Sequence, residues 1–214
     1  MKQPERMKPM VSIVVPVHNE SGNVEALIAE IDTAMIKCGC EFETIFVDDA
    51  STDDTYARLQ RTCERAEHLR VMHHPSNCGQ SMSILTGVRA AYGKIIAALD
   101  GDGQNDPADI PRLVAVLEAG EAENLKMVAG VRRKRRDTAW RRFSSRAANR
   151  FRSALLKDNI EDTGCGLKVF YRDAFLALPR FNHMHRFLPA LIQRDGGRVA
   201  SEDVALALGL AGLE

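Results

Sequence analysis

A repeated alternation of short apolar runs with stretches of helical periodicity is the feature that most constrains how this chain folds. Residues 10–17, MVSIVVPV, are rich in β-branched side chains, which predicts a strand buried on both faces. Apolar residues at helical spacing follow between Val24 and Met35. The same patterns predict further strands at 43–49, 69–74, 94–100, 126–130 and 166–172, and helices at about 53–66, 79–92, 140–156 and 186–195 and from 109 onward. This alternation favours an α/β fold, with a Rossmann-like, open and mostly parallel sheet covered by helices on both faces.

The length of 214 residues suits one domain, which we place at residues 10–205. Residues 1–9 are polar, are expected to form a disordered N-terminus and contain no hydrophobic signal region. Residues 206–214 are interpreted as an apolar tail that is truncated or altered. No run approaches the roughly 18 apolar residues that a membrane span needs. The five cysteines lack metal-site spacing and fit reduced thiols, so we expect a cytoplasmic protein.

Acidic side chains follow three of the predicted strands at the point where each strand ends. Glu20 follows the first strand, Asp48 and Asp49 end the second, and Asp100 and Asp102 end the fourth. Ligands of open α/β sheets bind outside the carboxyl ends of the strands, so we expect these groups at one edge. Because crowded carboxylates repel each other, they need a cation or hydrogen-bond donors, and their oxygens suit Mg²⁺ or Mn²⁺. For the DGDGQ stretch alone, a solvated turn that caps a helix is the alternative.

Basic charge is concentrated in one segment of the chain. Residues 132–152 carry ten Arg or Lys and one Asp, whereas the formal net charge of the whole chain is zero. Arg142, Arg146 and Arg150 share one face of the helix predicted there, beside an apolar stripe, which fits a helix resting on an anionic membrane surface. The alternative is a helix packed on the core with solvated arginines. No recognised nucleic-acid-binding module accompanies the charge, so no nucleic-acid partner is expected.

Four motifs occur in a set order and together carry a family resemblance. They are VSIVVPVHNESGNV, FETIFVDDASTDDT, NCGQSMSILTGVRAAYGKIIAALDGDGQNDPADIPRLV and DTGCGLKVFYRD. The set resembles the inverting family 2 glycosyltransferases with a GT-A fold, over about residues 10–195. The nearest subgroup is similar to the polyprenyl-phosphate glycosyltransferases of the dolichol-phosphate mannosyltransferase type. Each motif alone has low specificity, whereas the ordered combination is specific.

The resemblance implies a role for each residue that matches a family motif. Nucleotide-sugar binding is implied for Pro16, Val17, Asn19, Glu20, Asp48, Asp49, Gly79, Gln80 and Asp100. Metal binding, to Mg²⁺ or Mn²⁺, is implied for Asp102 and Gln104. Contacts to the acceptor phosphate are implied for Arg132, Arg133 and Arg186. The catalytic set is Asp100, Asp102, Asp162 and Arg133. For Asp162, a helix cap or a salt bridge within a loop is an equally open interpretation.

The implied activity is metal-dependent, inverting transfer of a sugar from a UDP- or GDP-linked donor to a polyprenyl phosphate at the cytoplasmic face of the membrane. Such a reaction needs orientation and charge stabilisation of the leaving diphosphate, and the chain shows no Ser-His-Asp or Cys-His arrangement. One alternative is a family 2 enzyme acting on a polysaccharide or a soluble acceptor, and another is a sugar-phosphate nucleotidyltransferase. The absence of a GxGxxG motif after the first strand counts against a nicotinamide dehydrogenase.

Overall fold

The computed structural model describes residues 10–132 and 165–205, with the backbone alone for residue 132. Seven strands are present in this part of the chain. They are β1 (Val11–Val17), β2 (Phe42–Asp48), β3 (Leu69–His73), β4 (Ile95–Ala98), β5 (Leu125–Arg132), β6 (Lys168–Tyr171) and β7 (Arg198–Val204). The helices are α1 (Val24–Cys38), α2 (Thr55–Cys63), α3 (Gln80–Ala90), α4 (Ile110–Ala119), α5 (Arg172–Leu176) and α6 (Leu188–Arg194), with short 3₁₀ turns at Pro107–Asp109, Glu121–Glu123 and Met184–Arg186.

All seven strands form one sheet in the order β3-β2-β1-β4-β6-β5-β7. Strand β6 runs antiparallel to both of its neighbours, and every other pairing is parallel. The carboxyl ends of β2, β1 and β4 are therefore adjacent at one edge of the sheet. We call this edge the carboxyl edge. An open, mostly parallel sheet of this kind confirms the predicted fold class.

The core has two layers because the sheet buries both of its faces. On one face, Ile13 and Val15 pack with α1, α2 and α4, and on the other face Val14 packs with α3, α5 and α6. Strand β1 is buried along almost its whole length, as the run of β-branched residues predicted. Helix α1 ends at Gly39, whose φ of +69° is the left-handed conformation that glycine adopts readily.

The sequence-based predictions match most of the observed elements, with bounds that differ by up to three residues. Strand β4 ends at Ala98, two residues before the predicted end. Strand β7 and helix α5 were not predicted. The predicted helix at 140–156, the N-terminus at 1–9 and the tail at 206–214 lie outside the described residues. Within the described ranges, no helix is long and apolar enough to cross a bilayer.

Candidate active site

A cleft of about 280 Å³ opens at the carboxyl edge, where the ends of β1, β2 and β4 meet. Four carboxylates line it: Glu20 after β1, Asp49 after β2, and Asp100 and Asp102 after β4. No lysine or arginine belongs to its lining in the described part of the chain. The structure thus brings together four of the five acidic groups that the sequence placed at one edge. We call this the first cleft, and its further lining residues are Pro16, Val17, His18, Gln80, Ser83 and Gly101.

The loops that follow β1 and β2 bind each other by hydrogen bonds. The amide of Asn19 donates to Ser51 Oγ at 2.9 Å, and the side-chain oxygen of Asn19 accepts from the amide of Thr52 at 2.8 Å. Asn19 and Ala50 both have φ of +58°, a conformation that non-glycine residues seldom adopt and that clusters at functional sites. The side chain of Asn19 therefore holds the loop, and Asn19 is not among the described residues that line the first cleft.

Asp53 strengthens the same pair of loops. Its carboxylate accepts hydrogen bonds from the amide and hydroxyl of Thr55 and from the amide of Ser21, at 3.0, 2.5 and 3.2 Å. Slight burial opposes ionisation, but these hydrogen bonds outweigh it and lower the pKa of Asp53 to about 2. Thr55 Oγ1 also accepts from the amide of Glu20 at 2.8 Å, so this network fixes the backbone that carries the Glu20 carboxylate.

Asp49 organises the start of helix α3. One of its carboxylate oxygens accepts from the amide of Cys78 at 2.8 Å and pairs with His74 Nδ1 at 2.8 Å, and the other accepts from the amide of Gly79 at 2.7 Å. Burial opposes ionisation of this carboxyl, but the bonds from His74 and the two amides prevail and lower its pKa. Asp49 thereby positions the residues just before Gln80 and also lines the first cleft.

Two further features of the structure involve Asp49 and the residues beside it. Asp48 is fully buried, and its carboxylate bonds His73 Nδ1 at 2.8 Å, so it supports the strand end without lining the first cleft. Ligand-type atoms of Asp49, His74 and Cys78 lie within 4.8 Å of one another, a grouping that sequence spacing did not indicate. Because both oxygens of Asp49 already accept hydrogen bonds, we interpret the group as a hydrogen-bonded support.

Asp100 is held in place from two sides. Gln80 Nε2 donates to Asp100 Oδ1 at 2.7 Å, which joins the first turn of α3 to the end of β4. On the other side lies Gly166, where an added Cβ would be 2.0 Å from Asp100 Oδ2. Only glycine leaves room for the carboxylate at this point. Sequence reasoning missed this role of Gly166, although the GCG motif marks the position.

Asp102 is exposed and lines the first cleft, and its Oδ1 accepts from the amide of Gln104 at 3.0 Å. The side chain of Gln104 is exposed and is not part of the described lining. Gly101 is needed for a tight contact between strands, because an added Cβ would be 2.5 Å from Val17 Cγ1. Oxygen donors from several carboxylates, in a cleft without a lining lysine or arginine among the described residues, fit a divalent cation such as Mg²⁺ or Mn²⁺.

A second cleft, of about 390 Å³, lies on the other side of Asp100. Pro16, Gln80 and Asp100 line both clefts and form the wall between them. Besides Asp100 and Gln80, the second cleft is lined by three residues of basic type. They are Lys168 from β6, and His185 and Arg186 from the turn before α6. Its back wall is apolar and consists of Ile84, Ala98, Leu99, Phe170, Phe175 and Leu188.

His185 is held by Ser81 in the first turn of α3. Ser81 Oγ lies 2.6 Å from His185 Nδ1 and accepts a hydrogen bond from the His185 amide at 3.3 Å, and because the oxygen already accepts this bond we assign its hydroxyl as the donor to Nδ1. The proton of the neutral ring is then on Nε2, which makes Nε2 a hydrogen-bond donor. Burial, followed by the charges of Lys168 and Arg186 and the ring of His183, lowers the pKa of His185 to about 4. His185 is therefore neutral near pH 7.

A comparison with known protein families identifies the family to which this chain belongs. The family model described as "Glycosyl transferase family 2" matches residues 12–178, which include all the lining residues of the two clefts except His185, Arg186 and Leu188. The chain belongs to this family. Membership favours the glycosyltransferase interpretation over a sugar-phosphate nucleotidyltransferase.

Two curated proteins are similar to this chain over most of its length. Dodecaprenyl-phosphate galacturonate synthase of Rhizobium johnstonii is 35% identical over 184 residues, which cover 85% of this chain and 54% of that protein. Undecaprenyl-phosphate 4-deoxy-4-formamido-L-arabinose transferase of Pseudomonas syringae pv. syringae is 35% identical over 190 residues, covering 86% and 55%. The chain thus spans about half the length of these relatives.

Solved structures of other glycosyltransferases share the GT-A fold. A mannosyltransferase from Pyrobaculum calidifontis, in complex with GDP-Man and Mn²⁺, has a TM-score of 0.68 at 20% identity, covering 97% of this chain and 59% of that one. Glucosyl-3-phosphoglycerate synthase from Mycobacterium tuberculosis, in complex with Mn²⁺, UDP-Glc and glycerol 3-phosphate, has a TM-score of 0.73 at 21% identity, covering 94% and 72%. At these identities the likeness establishes the fold.

Several residues proposed for this family 2 site fall outside the part of the chain that can be described. Arg133 and Asp162 lie there, as does the basic segment at 133–152, and Arg132 is placed by its backbone at the end of β5. Arg186, by contrast, lies among the described residues and lines the second cleft. Lys168 was not predicted. It is 8% exposed, lies on β6 and donates to the carbonyl oxygen of Cys165.

Proposed function

We propose that this protein transfers a sugar, with inversion, from a UDP- or GDP-linked donor to a polyprenyl phosphate. Family membership supports glycosyl transfer, and the names of the relatives at 35% identity support a dodecaprenyl- or undecaprenyl-phosphate type of acceptor. The structural neighbours bound to GDP-Man or UDP-Glc are in keeping with both candidate bases.

The observation that carries the proposal is the position of Asp100 on the wall between the two clefts. In the acidic first cleft, Pro16, Val17 and Glu20 would contact the nucleotide, with Asp49 against the base or ribose. Asp49 would also act indirectly, by holding Gly79 and Gln80 in place. The sugar would then lie over Asp100, between donor and acceptor. Asn19 and Asp48 are assigned to support of the loops that form this cleft.

The acidic first cleft is where a divalent cation would be held. Asp102, which is exposed in this cleft, would be its main protein ligand, with Gln104 beside it. Bound Mg²⁺ or Mn²⁺ would supply charge stabilisation for the departing diphosphate. Arginines near the end of β5, Arg132 and Arg133, are proposed to face the same phosphates or that of the acceptor.

The basic second cleft would receive the acceptor phosphate. Lys168 and Arg186 provide positive charge, and the Nε2–H of His185 provides a neutral hydrogen-bond donor. A phosphate monoester loses its second proton near a pH of about 6, so its oxygen is already a nucleophile near neutrality. That oxygen forms a bond to the anomeric carbon as the bond from this carbon to the nucleoside diphosphate breaks. The protein therefore has to orient the two substrates more than it has to remove a proton.

Asp162 is proposed to contact the donor sugar or the acceptor. We further propose that the enzyme works at the cytoplasmic face of a membrane, with the basic residues 132–152 against anionic lipid. The concentration of ten basic residues in that segment supports this placement. A polyprenyl phosphate acceptor is itself a membrane lipid, which gives the same expectation from the chemistry of the substrate.

Transfer assays with the purified full-length chain test this function. A panel of UDP- and GDP-linked sugars, with Mn²⁺ or Mg²⁺, would be offered with a polyprenyl phosphate or with free sugars as acceptors. We expect transfer to the polyprenyl phosphate, reduced at least about 100-fold by Asp102→Asn. Asp54→Asn is the matched control, because Asp54 is exposed and makes no capping bond through its side chain. Transfer to free sugars alone, or equal activity of both variants, would contradict the proposal.

A further inference from the structure

Large apolar side chains that remain exposed fall into two groups at opposite ends of the sheet. In the described chain these are Met10, Ile36, Tyr92, Met82, Phe181 and Phe187. The first three lie just before β1, at the end of α1 and just before β4, at the edge away from both clefts. Met82 is in the first turn of α3, and Phe181 and Phe187 flank the turn that carries His185. The second group is therefore at the carboxyl edge.

The segment that contains the two phenylalanines is exposed but well anchored. Every residue from 179 to 183 is exposed, whereas Leu178 and Met184 on either side are 5% and 2% exposed. The amide of Met184 donates to the carbonyl oxygen of Phe181 at 3.2 Å, which closes the turn. The rings of Phe181 and Phe187 lie 6.1 Å apart between centroids, at 44% and 37% exposure. The two aromatic side chains thus form one exposed apolar patch.

The charged side chains of the segment between Asp173 and Asp195, which carries this patch, have one sign. Residues 174–194 contain three arginines and no aspartate or glutamate. Arg180 and Arg186 are exposed next to the two phenylalanines. Exposed aromatic groups flanked by arginine are the combination that favours the interface of an anionic bilayer, where the rings enter the headgroup boundary and the cations meet lipid phosphates. An apolar partner surface without charge would leave the arginines unmatched.

The patch adjoins the second cleft. Arg186 and Leu188, on either side of Phe187, line that cleft, and the bond between Ser81 and His185 fixes the turn against α3. Met82, the residue after Ser81 in α3, is a further exposed apolar side chain at the same edge of the sheet. A bilayer that contacted this surface would therefore lie beside the opening of the cleft proposed for the acceptor phosphate.

We propose that residues 179–187, together with Met82, form a membrane-contact surface that inserts into the headgroup region of an anionic bilayer. The surface holds the second cleft at the depth of lipid phosphates. The proposal rests on the proposed function in taking the acceptor to be a lipid. It is separate from the basic segment at 132–152, because its aromatic and basic groups all belong to other residues.

Vesicle binding tests the surface without requiring catalysis. The full-length chain would be co-sedimented with phosphatidylcholine vesicles that contain or lack phosphatidylglycerol. We expect Phe181→Ser/Phe187→Ser to weaken binding to the anionic vesicles about tenfold, because two partly exposed rings no longer enter the interface. Ile36→Ser/Tyr92→Ser is the matched control at the opposite edge and should change binding less than about twofold. Equal weakening by both double variants, or no binding by the unmodified chain, overturns the proposal.

Charge reversal gives a second measurement. Arg180→Glu should weaken binding to anionic vesicles at least about threefold and leave binding to pure phosphatidylcholine unchanged. Arg65→Glu is the control, because Arg65 is exposed just before β3, at the edge of the sheet away from both clefts. Transfer to a short, water-soluble prenyl phosphate should be unaffected by the double phenylalanine variant. If the unmodified chain binds vesicles as expected but transfers sugar to neither the polyprenyl phosphate nor the short prenyl phosphate, the proposed function fails while the membrane-contact surface stands.

Discussion

Ser81 Oγ and His185 Nδ1 lie 2.6 Å apart although 104 residues separate them in the chain. Ser81 is at the start of α3, which begins beside the first cleft, and His185 lines the second. The bond joins the helix whose Gln80 holds Asp100 to the turn that carries Arg186. One short hydrogen bond therefore connects the helix that begins beside the first cleft to a turn that lines the second.

Ser81→Ala should remove the preference of the His185 ring for one neutral tautomer. Without the hydroxyl, Nδ1 has no donor from Ser81, and the ring populates both neutral tautomers. Nitrogen NMR of the labelled imidazole should show a protonated Nε2 in the parent and a mixture in the variant. The variant should also lose about 1 kcal/mol of stability, the usual contribution of one hydrogen bond. Thr33→Ala, which removes an exposed hydroxyl bonded within α1, is the control. An unchanged imidazole spectrum in Ser81→Ala would refute the assignment.

The lowered pKa of His185 predicts how stability depends on pH. Its folded value of about 4 lies below the usual value of about 6.5, so between these two the unfolded chain binds a proton that the folded chain does not. The contribution of this residue to the free energy of unfolding is therefore fully present above about pH 6.5, and it is lost as the pH falls towards about 4. The free energy of unfolding, measured with urea, should fall less between about pH 7 and about pH 5 for His185→Gln than for the parent. Identical losses would contradict the shift.

Gly166→Ala should impair transfer by displacing Asp100. An added Cβ would lie 2.0 Å from Oδ2 and 2.3 Å from Cγ of Asp100, so the carboxylate has to move and leave Gln80. A displacement of about 1 Å at a reacting centre can cost about 100-fold in rate, and we expect a loss of that order. Gly22→Ala is the control, since its Cβ would meet nothing within 4 Å. Steady-state rates within about threefold of each other for the two variants would count against this role of Asp100.

Local patterns were sufficient to predict the half of the sheet that forms the first cleft. The β-branched run of β1 and the short apolar run of β4 are buried on both faces. Such strands can be predicted from their own sequence, without knowing which strand pairs with them or in which register. Glu20, Asp49 and Asp100 come together because parallel neighbouring strands end at the same edge. The alternation of strands and helices indicated a mostly parallel sheet, although it did not give the order of the strands.

Features that depend on distant parts of the chain were not predictable in this way. Strand β7 was missed because its sequence, RVASEDV, is largely polar and its residues are mostly exposed or half-buried at the sheet edge. The reversed direction of β6 has no local signal. Lys168 is buried on that strand, where a lysine is seldom expected, and only the tertiary arrangement brings it to the second cleft.

The reversal of β6 has a consequence for how this protein can change. The amide of Gly130 on β5 bonds the carbonyl oxygen of Leu167, just before β6, so the chain leaves the sheet after β5 and re-enters it beside the same point. Both attachment points are at the carboxyl edge, next to Gly166 and Asp100. A change in the number of residues between β5 and β6 therefore need not alter the register in which the two strands pair.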